Sequence, residues 1–131
     1  MLEKIFKGKK GERRVLIVED DALLAKVLSE GFLAEKFKVV IVNNGEEVLD
    51  TVKKFNPHVI FLDLIIPGID GFAVLKQLKS DDKTKDIPVA IMSNLSEAGD
   101  VKSTSALGAD EYFIKSNTEI TKLIAYAKKQ S

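Results

Sequence analysis

Residues 58–63 read His58-Val-Ile-Phe-Leu-Asp63, and this stretch decides the fold. Four successive branched or aromatic residues with no polar alternation describe a strand covered on both faces, as in the middle of a parallel sheet. The run ends at a carboxylate. Pro67-Gly68 and Asp70-Gly71 mark a loop, and a helical stripe of Phe72, Leu75 and Leu78 follows.

The same unit recurs on either side. Arg14-Val-Leu-Ile-Val18 runs into Glu19-Asp20-Asp21, with Asp21 placed to cap a helix whose stripe is Leu24, Val27, Leu28 and Gly31, with Leu23 beside it. Lys38-Val-Val-Ile-Val42 closes in Asn43-Asn-Gly45, and its helix carries Val48, Val52 and Phe55 before stopping at Asn56-Pro57. Pro88-Val-Ala-Ile-Met92 ends in Ser93-Asn94. The helix predicted from about Ser96 to Leu107 is weak, because Gly99 sits near its start and Ser103, Thr104 and Ser105 compete for backbone bonds. Gly108 is placed as its C-cap residue. Glu111-Tyr-Phe-Ile114 ends in Lys115, and a last helix carries Ile120, Leu123, Ile124 and Ala127, capped by Asn117 or Thr118. This alternation predicts one α/β domain built from βαβ units, with five strands and five helices.

The chain has 131 residues, enough for one self-sufficient core. It has no cysteine, which excludes disulfides, thiolate nucleophiles and zinc-thiolate sites, and fits a cytoplasmic setting. Twenty basic residues balance twenty acidic ones, so no net field draws the chain to nucleic acid or membrane. No apolar run approaches a membrane span. Residues 1–13 form a basic arm without the apolar stretch of a signal peptide; we expect it to be solvated, a weak membrane or partner contact through Ile5 and Phe6 being the lesser reading. The folded domain is expected over 14–131.

The residues that follow the strands carry the chemistry. They are Glu19 and Asp20, Asp63, Ser93 and Lys115. In a parallel sheet all of them lie at the carboxyl edge, where open α/β sheets place ligands. Three carboxylates that close require a counter-charge. A hard divalent cation supplies it, and oxygen ligands select Mg²⁺, with Mn²⁺ as the alternative, over zinc. Lys115 adds a point charge and Ser93 a hydroxyl, which together suit a dianionic phosphoryl group. Asp63 is then placed to act as a carboxylate nucleophile and form an aspartyl phosphate. Taken singly, each residue has a plainer role: the acids of 19–21 as a helix start, Asp63 as a turn former, Ser93 as a loop hydroxyl, Lys115 as a surface lysine. Their common position after strands of one sheet is what favours a site.

At these residues, from about Val15 to Lys128, the chain resembles the receiver domain of two-component response regulators. Val15-Leu-Ile-Val-Glu-Asp-Asp21 is similar to the family's first strand and acidic pair. Val59-Ile-Phe-Leu-Asp-Leu-Ile-Ile-Pro-Gly-Ile-Asp-Gly71 is similar to its phosphoacceptor signature. Pro88 to Ser93 and Gly108-Ala-Asp-Glu-Tyr-Phe-Ile-Lys115 resemble its last two strands. The resemblance implies a flavodoxin-like doubly wound sheet of order 2-1-3-4-5. It makes Asp63 the phosphoacceptor, and Asp20, Glu19 (directly or through water), Asp63 and the backbone carbonyl of Ile65 the metal ligands. Ser93 and Tyr112 become the switch pair, and Lys115 the phosphate-binding amine. It implies a histidine kinase or histidine phosphotransfer protein as donor, no nucleic acid or membrane partner in this chain, and a monomer or a phosphorylation-dependent dimer.

Two positions depart from the pattern. The family favours proline after the lysine, in a cis peptide, where this chain has Ser116; a cis bond without proline costs about 2.5–4 kcal/mol. We therefore expect either a strained cis bond or a trans loop that displaces Lys115. Asn94 stands where the family favours a small residue, and we expect it to slow phosphoryl access or water attack.

The expected function is a stand-alone receiver that accepts a phosphoryl group on Asp63 and changes the surface of the fourth helix, fifth strand and fifth helix. It is not expected to be an enzyme beyond slow self-dephosphorylation. Ile65, where aspartyl-phosphate hydrolases carry a second acid, argues against turnover. The alternative is a pseudo-receiver that keeps the fold without efficient phosphorylation. Nucleotide binding lacks a glycine-rich loop after the first strand. His58, at the far end of its strand, is expected to be structural. No DNA-binding helix pair follows within this sequence, so its output is expected through protein contact or through an output domain carried by a longer protein.

Overall fold

A computed structural model describes residues 11–94 and 98–131. The elements are β1 (Arg13–Val18), α1 (Ala22–Ala34), β2 (Phe37–Val42), α2 (Val48–Phe55), β3 (Val59–Leu62), α3 (Gly71–Ser80), β4 (Val89–Ser93), α4 (Ala98–Ala106), β5 (Glu111–Ile114) and α5 (Ile120–Lys129). A short 3₁₀ turn, Lys115–Asn117, joins β5 to α5. The basic arm expected over 1–13 lies largely outside the described residues, as does the expected helix start at Ser96.

The five strands form one parallel sheet in the order β2-β1-β3-β4-β5. All four residues of β3 are buried, as its apolar run requires of a central strand. The edge strands are less covered: β2 is buried only at its two ends, and β5 runs from exposed to half-buried. One face of the sheet packs Leu16, Val18, Ile60 and Leu62 against Val48, Val52 and Phe55 of α2 and Val74, Leu75 and Leu78 of α3. The other packs Val15, Ile17, Val59 and Phe61 against Leu28 and Phe32 of α1 and Leu123 and Ala127 of α5. Helices after the neighbouring strands β1 and β3 thus leave to opposite faces. Such a divergence opens a crevice at the carboxyl ends of the two strands.

Local chemistry accounts for most element ends. The Asp21 carboxylate accepts from the amides of Leu23 (3.0 Å) and Leu24 (3.2 Å), and Asp70 caps α3 through Ala73 (3.0 Å). Asn56 ends α2 in the left-handed region at φ 52°, and Gly108 turns at φ 102° after α4. At the opposite edge from the crevice, His58 donates its amide to the Arg14 carbonyl (2.9 Å), and its Nδ1 accepts from the Arg14 amide (3.1 Å).

Three details differ from the expectation. The buried residues of α1 are Ala25, Leu28 and Phe32, whereas Val27 remains 50% exposed and Leu23 73% exposed. This helix is apolar around most of its circumference, so periodicity alone does not choose the face that meets the sheet. Neither Asn117 nor Thr118 caps α5; Glu119 holds that position without a side-chain bond. Asn117 belongs to the 3₁₀ turn, and Thr118 Oγ1 donates back to the Ile114 carbonyl (2.8 Å). Last, no cis peptide occurs among the described residues. Lys115 nonetheless reaches Asp63, so neither the cis bond nor the displaced lysine is found.

Candidate functional site

The crevice between β1 and β3 collects the acids. The Glu19 amide donates to the Val42 carbonyl (2.9 Å) and the Asp63 amide to the Val18 carbonyl (3.1 Å), so each acid extends its strand by one rung and stands beside the other. Glu19, Asp20 and Asp63 each offer a carboxylate oxygen within 4.8 Å of the others. Glu19 and Asp63 are buried and Asp20 is exposed.

Lys115 reaches in from the end of β5. Its ammonium lies 2.7 Å from Asp63 Oδ2 and pairs also with Glu19 Oε1. The second Asp63 oxygen, Oδ1, accepts from the Ile65 amide (3.1 Å), and Glu19 Oε2 accepts from the Asp21 amide (3.1 Å). Glu19 Oε1 touches the lysine but, among the described residues, is a buried side-chain oxygen with no hydrogen bond of proper geometry. Burial pushes the Glu19 carboxyl above its ordinary value, against the pull of Lys115 and the Asp21 amide, and the Asp63 charge adds to the rise. Burial works to lower the Lys115 ammonium, but its close contacts with the Asp63 and Glu19 carboxylates outweigh that and hold it above its ordinary value.

Ser93 closes β4 and is fully buried. Its side chain shares a hydrogen bond with the Tyr112 hydroxyl, and Tyr112 is half-buried over the α2–α3 side of the core. Burial raises the Tyr112 hydroxyl, more than its bond to Ser93 lowers it. Tyr112 therefore faces Ser93 in this arrangement. Asn94 and Ser116 are exposed, and Asn94 Oδ1 accepts from the Ser116 amide (3.0 Å). The Ile65 side chain is 63% exposed, so only its backbone addresses the acids.

Two glycines shape the crevice in ways the sequence reading passed over. The Gly71 amide donates to the Leu64 carbonyl (3.0 Å), and a Cβ there would lie 2.6 Å from the Asp63 carbonyl oxygen. The Gly45 amide donates to the Pro67 carbonyl (3.0 Å), and a Cβ there would strike the Ile69 backbone. The loops after β2 and β3 can pack this closely only because both residues lack a side chain. Asp70-Gly71 and Asn44-Gly45 advertise turns, but a turn signal does not reveal a neighbouring loop.

This fold, with its acidic crevice, is that of a signalling domain. A family model described as the response regulator receiver domain matches residues 15–128, and the chain belongs to that family. As a receiver domain it signals and is not an enzyme. The DNA-binding response regulator MtrA of Mycolicibacterium paratuberculosis is 31% identical over 103 residues, which cover 79% of this chain and 44% of MtrA. The chain spans less than half the length of the curated relatives it matches. The receiver domain of the Francisella response regulator 1452 aligns with a TM-score of 0.83 at 26% identity, over 91% of this chain and 96% of that one. The receiver domain of the Pseudomonas aeruginosa sensor histidine kinase PA1611, solved with magnesium coordinated in its active-site cleft, shares the fold with a TM-score of 0.81 at 17% identity, over 91% of this chain and 97% of that one.

Proposed function

We propose that Asp63 accepts a phosphoryl group from a phosphohistidine carried by a histidine kinase or phosphotransfer protein. The observation that carries this reading is the Lys115 ammonium held 2.7 Å from a buried carboxylate that two further acids crowd. A carboxylate oxygen of Asp63 attacks phosphorus, the P–N bond breaks, and the imidazole leaves with a proton. The product is an acyl phosphate bearing nearly two negative charges. Lys115 is then in place to pair with a phosphoryl oxygen, and Ser93 to donate its hydroxyl. Because Ser93 shares its hydrogen bond with Tyr112, a phosphoryl group that claims the serine hydroxyl releases the tyrosine. The α4–β5–α5 surface changes with it, as a population shift between two arrangements.

The donor set suits Mg²⁺, or Mn²⁺ in its place: oxygen ligands only, and three acids against one lysine. Glu19, Asp20, Asp63 and the Ile65 carbonyl would hold the ion, which when bound offsets the negative charge that gathers as the phosphoryl group arrives. We place this reaction in the cytoplasm, the compartment that supplies ATP to kinases; no described helix is long and apolar enough to cross a membrane. Whether the domain works alone or joined to an output domain, its own contribution is a switched surface for protein contact. Incubation with acetyl phosphate and Mg²⁺ should add roughly 80 Da to the wild type, in an acid-labile linkage, and nothing to Asp63→Asn. A folded wild type that gains no such mass refutes the reading and leaves the pseudo-receiver.

A further inference from the structure

The two residues that depart from the family pattern meet each other. Asn94 directly follows Ser93, and Ser116 directly follows Lys115. The β4–β5 ladder ends at the pair Ser93 and Ile114, and the Asn94–Ser116 bond of 3.0 Å adds one cross-link beyond it, made by a side chain. Ser116 lies in the 3₁₀ turn, whose first amides have no partner within the turn. Asn94 takes one of them. Lys115 is thereby pinned at its backbone on both sides, by the β5 ladder before it and by this bond after it. That matters because the lysine reaches Asp63 through a flexible four-carbon stem, and a loose anchor would spread its ammonium over many positions.

We propose that Asn94 is a positioning residue for phosphoryl acceptance: its side-chain amide clasps the Ser116 backbone and so holds the Lys115 ammonium at the Asp63 carboxylate. The proposal rests on the phosphoacceptor reading above and gives that site a means of regulation. The clasp sits on the residue next to Ser93, so movement of Ser93 toward a phosphoryl group pulls on the Lys115 turn. Ser93 and Lys115 are thus coupled through the chain as well as through the ligand. Proline at 116 has no amide hydrogen to offer, so Ser116 is what makes the clasp available.

The test is a cycle of variants assayed for the rate of phosphoryl uptake from acetyl phosphate with Mg²⁺, with urea midpoints confirming the fold. Asn94→Ala should slow uptake about 2- to 10-fold, the range spanned by one neutral hydrogen bond. Ser116→Ala, which keeps the amide, should match the wild type. In a Ser116→Pro background, Asn94→Ala should have no further effect. The amide proton of Ser116 should exchange faster with solvent, and shift, in Asn94→Ala. An Asn94→Ala protein as fast as the wild type, or faster because a crowding amide has gone, overturns the clasp. So does an equal Asn94→Ala effect in both backgrounds, or an unchanged Ser116 amide. Failure of the underlying reading looks different, since the wild type itself would take no adduct.

Discussion

Replacing Asp20 with asparagine should stabilise the metal-free protein while weakening its response to Mg²⁺. Asp20 shares a cluster with Glu19 and Asp63 in which one oxygen from each lies within 4.8 Å of the others. At 4.8 Å two unit charges repel by about 0.9 kcal/mol in water and by about 3.5 kcal/mol at an effective dielectric constant of 20. Asp20 is exposed, so the water-like value applies. Two neighbours sum to about 2 kcal/mol, and lost attraction to Lys115 takes back part, which leaves a gain of about 1 kcal/mol. Mg²⁺ that binds only the folded chain adds about 2.7 kcal/mol at a hundredfold excess over its Kd. The variant lacks one ligand, so at the same concentration its gain is smaller. Urea unfolding in EDTA and in Mg²⁺ reads both effects. Asp20→Asn should unfold at higher urea than the wild type in EDTA, and the order should narrow or reverse in Mg²⁺. A variant that is destabilised in EDTA yet gains as much from Mg²⁺ as the wild type would show that these acids do not surround a shared cation.

Gly71→Ala reverses the usual sign of a glycine-to-alanine change in a helix. Alanine normally favours a helix by about 0.8–1 kcal/mol. Here the added Cβ meets the Asp63 and Leu64 carbonyl oxygens at 2.6 and 2.8 Å, so a loss of about 1–3 kcal/mol and slower phosphoryl uptake are expected in urea and mass assays. His58 should make stability fall on acidification. Burial, then the Arg14 charge, hold its folded pKa below the ordinary value, with Glu12 opposing. The unfolded chain therefore binds the proton more readily, and the stabilisation present above about pH 6.5 is lost as pH falls through the folded value. The difference in urea midpoint between wild type and His58→Gln should shift against the wild type between about pH 7.5 and 5.5; a constant difference would refute it. Lys79 donates to the Ile87 carbonyl (2.9 Å) and to Asp110 (3.0 Å), whose Oδ2 also holds the Val89 amide (2.8 Å). Lys79→Met should cost about 1.5–3 kcal/mol in urea unfolding without changing Mg²⁺ affinity.

The strands and their order of appearance were legible because each is a short, nearly unbroken apolar run, and the inner three are buried on both faces. The helix cap at Asp21 was legible because a short acid stands before the first turn, whereas Asp70, read as part of a loop, proves to cap α3 as well. The face of α1 was not legible: its apolar residues surround the axis, and only contact with the sheet picks Ala25, Leu28 and Phe32. The α5 cap misled for a similar reason, since Thr118 spends its hydroxyl on the Ile114 carbonyl.

The amino-acid order by itself determined which chemistry stands at the end of each strand: two acids after β1, one after β3, a hydroxyl at the end of β4 and an amine after β5. Side-chain type and local pattern are written residue by residue, so they need no partner to be read. Only the tertiary structure decided that Lys115 reaches Asp63 across 52 residues of sequence, that Gly71 lies against the Asp63 backbone, and that Asn94 bonds the Ser116 amide. Those contacts join segments that are distant along the chain, and it is the packing of the sheet and its loops that sets the distances between them.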